Sequence, residues 1–115
     1  VEVADGILNC GSITLSNTAN ANRDCILSLN NGSITCSGSI TMGGVNTENN
    51  VNITGSGTIN VGGSITGGDL TDSGTGTVNF SGSGVTIGGA AASALYQFYN
   101  LTISEPAPRR WATPG

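Results

Sequence analysis

Apolar residues in this chain come in pairs two positions apart, separated by short polar stretches. The pairs are Ile13/Leu15, Leu27/Leu29, Ile34/Cys36, Ile40/Met42, Val51/Ile53, Ile59/Val61, Val78/Phe80, Val85/Ile87 and Leu101/Ile103. A spacing of two puts both side chains on one face of a strand and the intervening residue on the other. The flanking residues are Ser, Thr or Asn, as in Ser33-Ile34-Thr35, Asn52-Ile53-Thr54, Thr58-Ile59-Asn60 and Thr77-Val78-Asn79. The pattern predicts very short, half-buried strands. They recur about every six residues, as Ile34 then Ile40, and Ile53, Ile59 then Ile65. Gly-Ser, Ser-Gly and Gly-Gly pairs fall between them, where a chain needs permissive backbone to turn a corner.

A longer spacing lies over this one. Ile34 to Ile53, Ile40 to Ile59 and Ile59 to Val78 are each 19 residues, Ile13 to Ile34 is 21 and Val78 to Phe98 is 20. A period near 20 that holds three short strands and three corners describes one coil of a β-helix. The expected fold is therefore all-β, a single-domain parallel β-helix (β-solenoid) of about five coils. The first contains Ile7 and Ile13, the second spans 25–45, the third 51–70, the fourth 77–94, and the last is built on 98–103. Segments 16–24 and 43–50 fit loops bulging from a corner. The small-residue run 90–95 reads as a corner loop in preference to a helical turn. The alternative fold is a β-sandwich, whose strands usually run five or six residues and need more room than these pairs leave. Residues 1–104 form the expected solenoid body. In 105–115, Pro106, Pro108 and Pro114 rule out a regular central strand, which makes this stretch a Pro/Arg-rich tail or linker, or an arm that docks on a neighbour through Trp111.

Composition narrows the function. Gly, Ser, Thr and Asn make up more than half of the 115 residues, and only 9% are charged. Residues 1–108 carry seven acidic side chains against Arg23 alone, a net charge of −6. Nucleic-acid binding requires a basic patch to neutralise phosphates, so that class is excluded, and an anionic membrane surface would repel the body. No apolar run approaches the roughly 20 residues of a membrane span. The absence of a charged-then-apolar leader is expected of a chain whose export signal has been removed. With no His, the Ser-His-Asp and Cys-His pairings are unavailable. The acids are scattered, and only Asp69 and Asp72 are close in sequence; they suit turn capping better than the six to eight oxygens of a Ca²⁺ site. No enzyme activity and no cofactor are expected.

The three cysteines, Cys10, Cys25 and Cys36, match neither a CxxC motif nor a metal spacing. They allow one disulfide and a free thiol, or three buried thiols. If one bridge forms, Cys10–Cys25 is favoured, because these two bracket the polar stretch 16–24. A closed loop of that size is worth about 3 kcal/mol by the chain-entropy estimate.

Two segments, Gly76-Thr77-Val78-Asn79-Phe80-Ser81-Gly82-Ser83-Gly84 and Tyr99-Asn100-Leu101-Thr102-Ile103, resemble repeats of large secreted bacterial surface proteins of the autotransporter and filamentous-adhesin kind. Ser39-Ile40-Thr41-Met42-Gly43-Gly44 is similar to an earlier element of the same repeat, and the likeness spans roughly 25–104. The resemblance implies an exported, extracellular or cell-surface protein with a stalk-like or adhesive role, and it brings no catalytic motif.

A solenoid also ends in unpaired backbone groups at both ends unless something caps them. Val1-Glu2-Val3 is strand-like, and low charge does little to oppose end-to-end pairing. The expected function is a structural subunit of an extracellular filament whose partners are copies of itself, joined head to tail. The residues expected at the junction are Val1, Val3, Ile7, Leu101, Ile103 and Trp111. The alternative is an adhesin or stalk module that binds surface glycans or host ligands. Ice binding is a distant third, since the outward positions mix Ser, Thr and Asn where ice-binding solenoids display regular Thr arrays.

Overall fold

A computed structural model describes residues 1–17, 25–44, 49–88 and 95–104, and these are all strand, turn or extended connection. Within them the chain runs through β1 (Glu2–Val3), β2 (Ile7–Cys10), β3 (Ile13–Asn17), β4 (Ile26–Leu29), β5 (Ser33–Cys36), β6 (Ile40–Gly44) and β7 (Asn50–Ile53). It continues through β8 (Thr58–Val61), β9 (Ile65–Thr66), β10 (Asp69–Asp72), β11 (Thr77–Phe80), β12 (Ile87–Gly88), β13 (Tyr96–Gln97) and β14 (Asn100–Ile103). Every third strand pairs in parallel. Three sheets result, ordered β1-β4-β7-β10-β13, β2-β5-β8-β11-β14 and β3-β6-β9-β12. The fold is the expected β-solenoid.

The alternation in the sequence accounts for the packing. In the second sheet, Leu8, Ile34, Ile59, Val78 and Leu101 fall in one register column, and Cys10, Cys36, Val61, Phe80 and Ile103 in another. Both columns point inward. Leu27, Leu29, Val51, Ile53 and Leu70 fill the same role on the first sheet, and Ile40 and Ile65 on the third. Ile34, Ile40, Ile53, Ile59, Ile65, Val78 and Phe80 have no solvent exposure. Each such burial is worth roughly 1.5–3 kcal/mol. Between turns, backbone hydrogen bonds such as Thr54 N to Leu29 O (2.8 Å) and Thr77 N to Gly57 O (3.0 Å) continue the ladder past the strand ends into the corners.

The count of about five coils is slightly high. Three turns, β4–β6, β7–β9 and β10–β12, enclose the buried core, while β1–β3 and β13–β14 lie over them as half-covered outer layers. Nor is the repeat constant. Register partners are 19 residues apart from Ile59 to Val78 but 25 from Ile34 to Ile59 and 27 from Ile13 to Ile40. Of the five spacings near 20 set out from the sequence, only Ile59 to Val78 joins register partners. Ile34 to Ile53 and Ile40 to Ile59 each connect different sheets. Leu70, expected to end the third coil, lies in β10 and opens the next turn. In the first coil Leu8 takes the inward position, while Ile7 points outward and is 75% exposed.

Most of the variation in length falls at one corner, although the connection 81–86 from the second sheet to the third is also longer than 37–39 or 62–64. Connections from the third sheet to the first hold residues 18–25, 45–49, 67–68 and 89–95. The loops expected at 16–24 and 43–50 fall at this corner but are shorter than expected, since 16–17, 43–44 and 50 belong to β3, β6 and β7; 18–24 and 45–48 lie outside the described residues, as do 90–94 of the small-residue run and the whole of 105–115. The shortest connection is Gly67-Gly68, with φ of 79° and 38°. A side chain at Gly67 would collide with the Met42 carbonyl of the turn below. Only glycine satisfies both the left-handed backbone and the close stacking there.

Ile59→Ala should destabilise the fold by about 2–5 kcal/mol, read as a shift in denaturant midpoint, because the filled column around Ile59 cannot collapse into the cavity. Gly84 also has positive φ, at 65°, but nothing lies within 4 Å of a side chain there. Gly84→Ala should therefore cost about 1–2 kcal/mol from backbone strain alone. Gly67→Ala should cost clearly more in the same measurement, from strain plus collision.

Candidate self-association ends

The interior turns are covered above and below, so unsatisfied surface concentrates at the two outer layers. At the amino-terminal layer, β2 pairs with β5 and presents its other edge unpaired among the described residues. The same holds for β14 at the opposite layer, which pairs with β11 alone. These are the two edges of one sheet, in one register.

The expected junction residues divide between these layers. Val1 is 80% exposed, but its backbone is anchored: its ammonium group donates to the Ile26 carbonyl (2.9 Å), and its carbonyl accepts from Ser28 N (2.9 Å). Val3 is half-buried and packs against the core, while Ile7 stands on the outer face. At the other end Leu101 is 44% exposed and Ile103 56%, although both occupy inward columns above Val78 and Phe80. Among the described residues no further turn lies over them. Tyr99 and Leu95 add apolar surface to the same end. Trp111 lies outside the described residues.

The carboxyl-terminal layer is fastened by contacts that sequence reasoning missed. Asp69 Oδ1 accepts a hydrogen bond from Leu95 N (2.7 Å), and the Tyr96 hydroxyl donates to the Gly67 carbonyl. Tyr96 and Phe98 meet at a ring-centroid distance of 6.3 Å, tilted by 54°, and both pack on the core. Burial, helped by the negative charge of Asp69, pushes the Tyr96 phenol up to about 12. The single signal in the sequence was an aromatic at Tyr96 directly after the small-residue run, and it gave no partner.

Asp69 and Asp72 do not converge. They stand three positions apart on β10, so they project to opposite faces. Asp72 follows the inward column of Leu29 and Ile53, and its Oδ1 accepts from Gly74 N (3.0 Å), the expected turn capping. Among the described residues no group of three or more His, Cys, Asp or Glu side chains gathers in a metal-holding cluster.

All three cysteines are free thiols. Cys10 faces Cys36 in register, while the Cys25 thiol donates to the Ser16 carbonyl (3.2 Å), so the favoured Cys10–Cys25 bridge is not brought together. Leu8-Asn9-Cys10 repeats the pattern of Ile34-Thr35-Cys36, the signal by which the true neighbours were legible.

Outside the core, the second sheet presents two polar columns. One is Ser33, Thr58, Thr77 and Asn100, below which Ile7 stands; the other is Asn9, Thr35, Asn60, Asn79 and Thr102. Asn79 Nδ2 donates to Asn60 Oδ1 across one step of that face (3.3 Å). Among the described residues no helix is long and apolar enough to cross a membrane. Comparison with protein-family models, curated proteins and solved structures gives no match.

The Tyr96 contact makes stability depend on alkaline pH. Because the folded state holds the phenol proton above its usual value of 10.0, the stabilisation is complete below about pH 10 and is lost as pH rises toward about 12. Tyr96→Phe should lower stability at neutral pH by about 1 kcal/mol, for one lost hydrogen bond. It should also flatten the loss between those two pH values, as followed by circular dichroism.

Proposed function

We propose that this chain is a structural subunit of an extracellular filament, and that copies join head to tail through the outer layers of the solenoid. The observation that carries the reading is the shared register of β2 and β14 at opposite edges of one sheet. Continuing the columns by one rung sets Leu101 of one copy against Leu8 of the next, and Ile103 against Cys10. The backbone ladder then runs on, and the exposed apolar surface of Leu101 and Ile103 is covered as Val78 and Phe80 already are. A contact of this kind is heterologous, so it propagates into a filament unless its rotation closes a ring. Secretion to the cell surface fits the family resemblance and the low charge of the body.

The second reading, an adhesin or stalk module that binds glycans, draws on the polar columns around Asn60 and Asn79. There the outer layers would be covered by other segments of a longer array, and the face would supply donors and acceptors to sugar hydroxyls.

Electron microscopy and sedimentation of the purified chain separate the two. The filament reading expects polymers, and Leu101→Asp with Ile103→Asp should keep the fold by circular dichroism while raising the concentration needed for assembly at least tenfold. That factor is only about 1.4 kcal/mol, less than the burial of one such side chain contributes. Monodisperse monomers at high concentration, with no fibres in any salt, would overturn it, and retention on a glycan array would then favour the adhesin.

A further inference from the structure

We propose that Cys10 and Cys36 are a disulfide-forming pair that staples the amino-terminal layer to the first enclosed turn. They are direct register partners in the parallel strands β2 and β5. Both lie on the inward phase, where Cys36 is 1% exposed and Cys10 is half-buried against the core. Neighbouring strands stand about 4.8 Å apart, within the roughly 4.4–6.8 Å between Cα atoms that a disulfide bridges. The Cys36 thiol reaches toward the adjoining layer, with Sγ 3.6 Å from the carbonyl oxygen of Gly11, the residue after Cys10. Its other acceptor, the Ser39 carbonyl, is also at 3.6 Å. Cys25 takes no part, since its thiol is held at the Ser16 carbonyl.

The oxidant is a small-molecule disulfide such as oxidised glutathione. Cys10, the more accessible thiol, loses its proton and attacks one sulfur of that disulfide, forming a mixed disulfide and releasing one glutathione thiolate. Cys36 then loses its proton and attacks the Cys10 sulfur, releasing the second glutathione. Two protein thiols are oxidised by two electrons, and the small disulfide is reduced to two thiols. Burial, and next the neighbouring Cys10, push the Cys36 thiol above its ordinary value, so this second step is the slower one and quickens as pH rises. The bond would tie an outer layer, covered on one side only, to the stable interior. It does so within one chain and does not depend on end-to-end assembly.

The test is to incubate the full chain with oxidised glutathione at mildly alkaline pH, unfold it in iodoacetamide, and read intact mass and linked peptides. The expected product carries one alkylated cysteine, Cys25, and a Cys10–Cys36 linked peptide lighter by two hydrogens. Its thermal midpoint should lie several degrees above that of the reduced chain. Cys25→Ser should leave the link intact. Cys36→Val, which copies Val61 in the next rung, should stop at a glutathione adduct on Cys10. Three alkylated cysteines, or a principal product linked through Cys25, would overturn the proposal; since the reading uses the native chain and the Cys25 variant, it stands even if the Cys36 variant fails to fold.

Discussion

The structure depends on one repeated interaction, the stacking of inward aliphatic side chains directly above one another while their backbones pair in parallel. Ile34, Ile59 and Val78 are the plainest case, each in register with the next and each fully buried. Neither half of the interaction suffices alone. A strand of four residues cannot bury both its side chains and its amide groups by itself, and it does so here only because the turns above and below supply both partners. Stability is therefore close to a sum of nearest-neighbour terms. Whatever fixes the register at one rung, whether a glycine corner or an Asn step such as Asn60–Asn79, also supports the rungs beside it.

The same dependence leaves the outer layers unfinished. Leu101 and Ile103 occupy core columns yet remain about half exposed, with no further rung over them among the described residues. The chain offsets this at one end with the Tyr96 and Asp69 contacts and at the other with the Val1 anchor to Ile26 and Ser28. These fasten the outer layers onto the stack without covering them. The proposed polymer and the proposed staple answer the same physical deficit, one between copies and one within a copy.

The strands and their inward faces were legible from pairs such as Ile34/Cys36 and Ile59/Val61, because a two-residue alternation is local and survives any change in coil length. The coil period was less so. Ile34 and Ile53 share a motif and stand 19 residues apart, yet they lie on different sheets, since the motif marks every face of the coil alike. Register across turns depends on the lengths of the corner connections, chiefly those from the third sheet to the first, and these lengths follow no pattern in the sequence. Leu101 and Ile103, named from the sequence as end residues, lie in the last described rung and are about half exposed there. Ile7 misled because an aliphatic at the start of a strand does not declare its face, and Leu8 beside it was the inward residue. The Tyr96 hydroxyl meets a carbonyl 29 positions away, a contact set by three-dimensional closure alone.

Amide hydrogen exchange, resolved by residue and repeated across a range of protein concentrations, tests most directly whether the stack grows by adding rungs at its ends. In dilute solution the interior strands β5, β8 and β11 should exchange slowest, and β2 and β14 fastest among the strands of their sheet. Raising the concentration should slow exchange selectively in residues 7–10 and 100–103, leaving the interior as it was. Unchanged exchange at both end strands, or new protection gathered instead on the outer face around Asn60 and Asn79, would contradict the account.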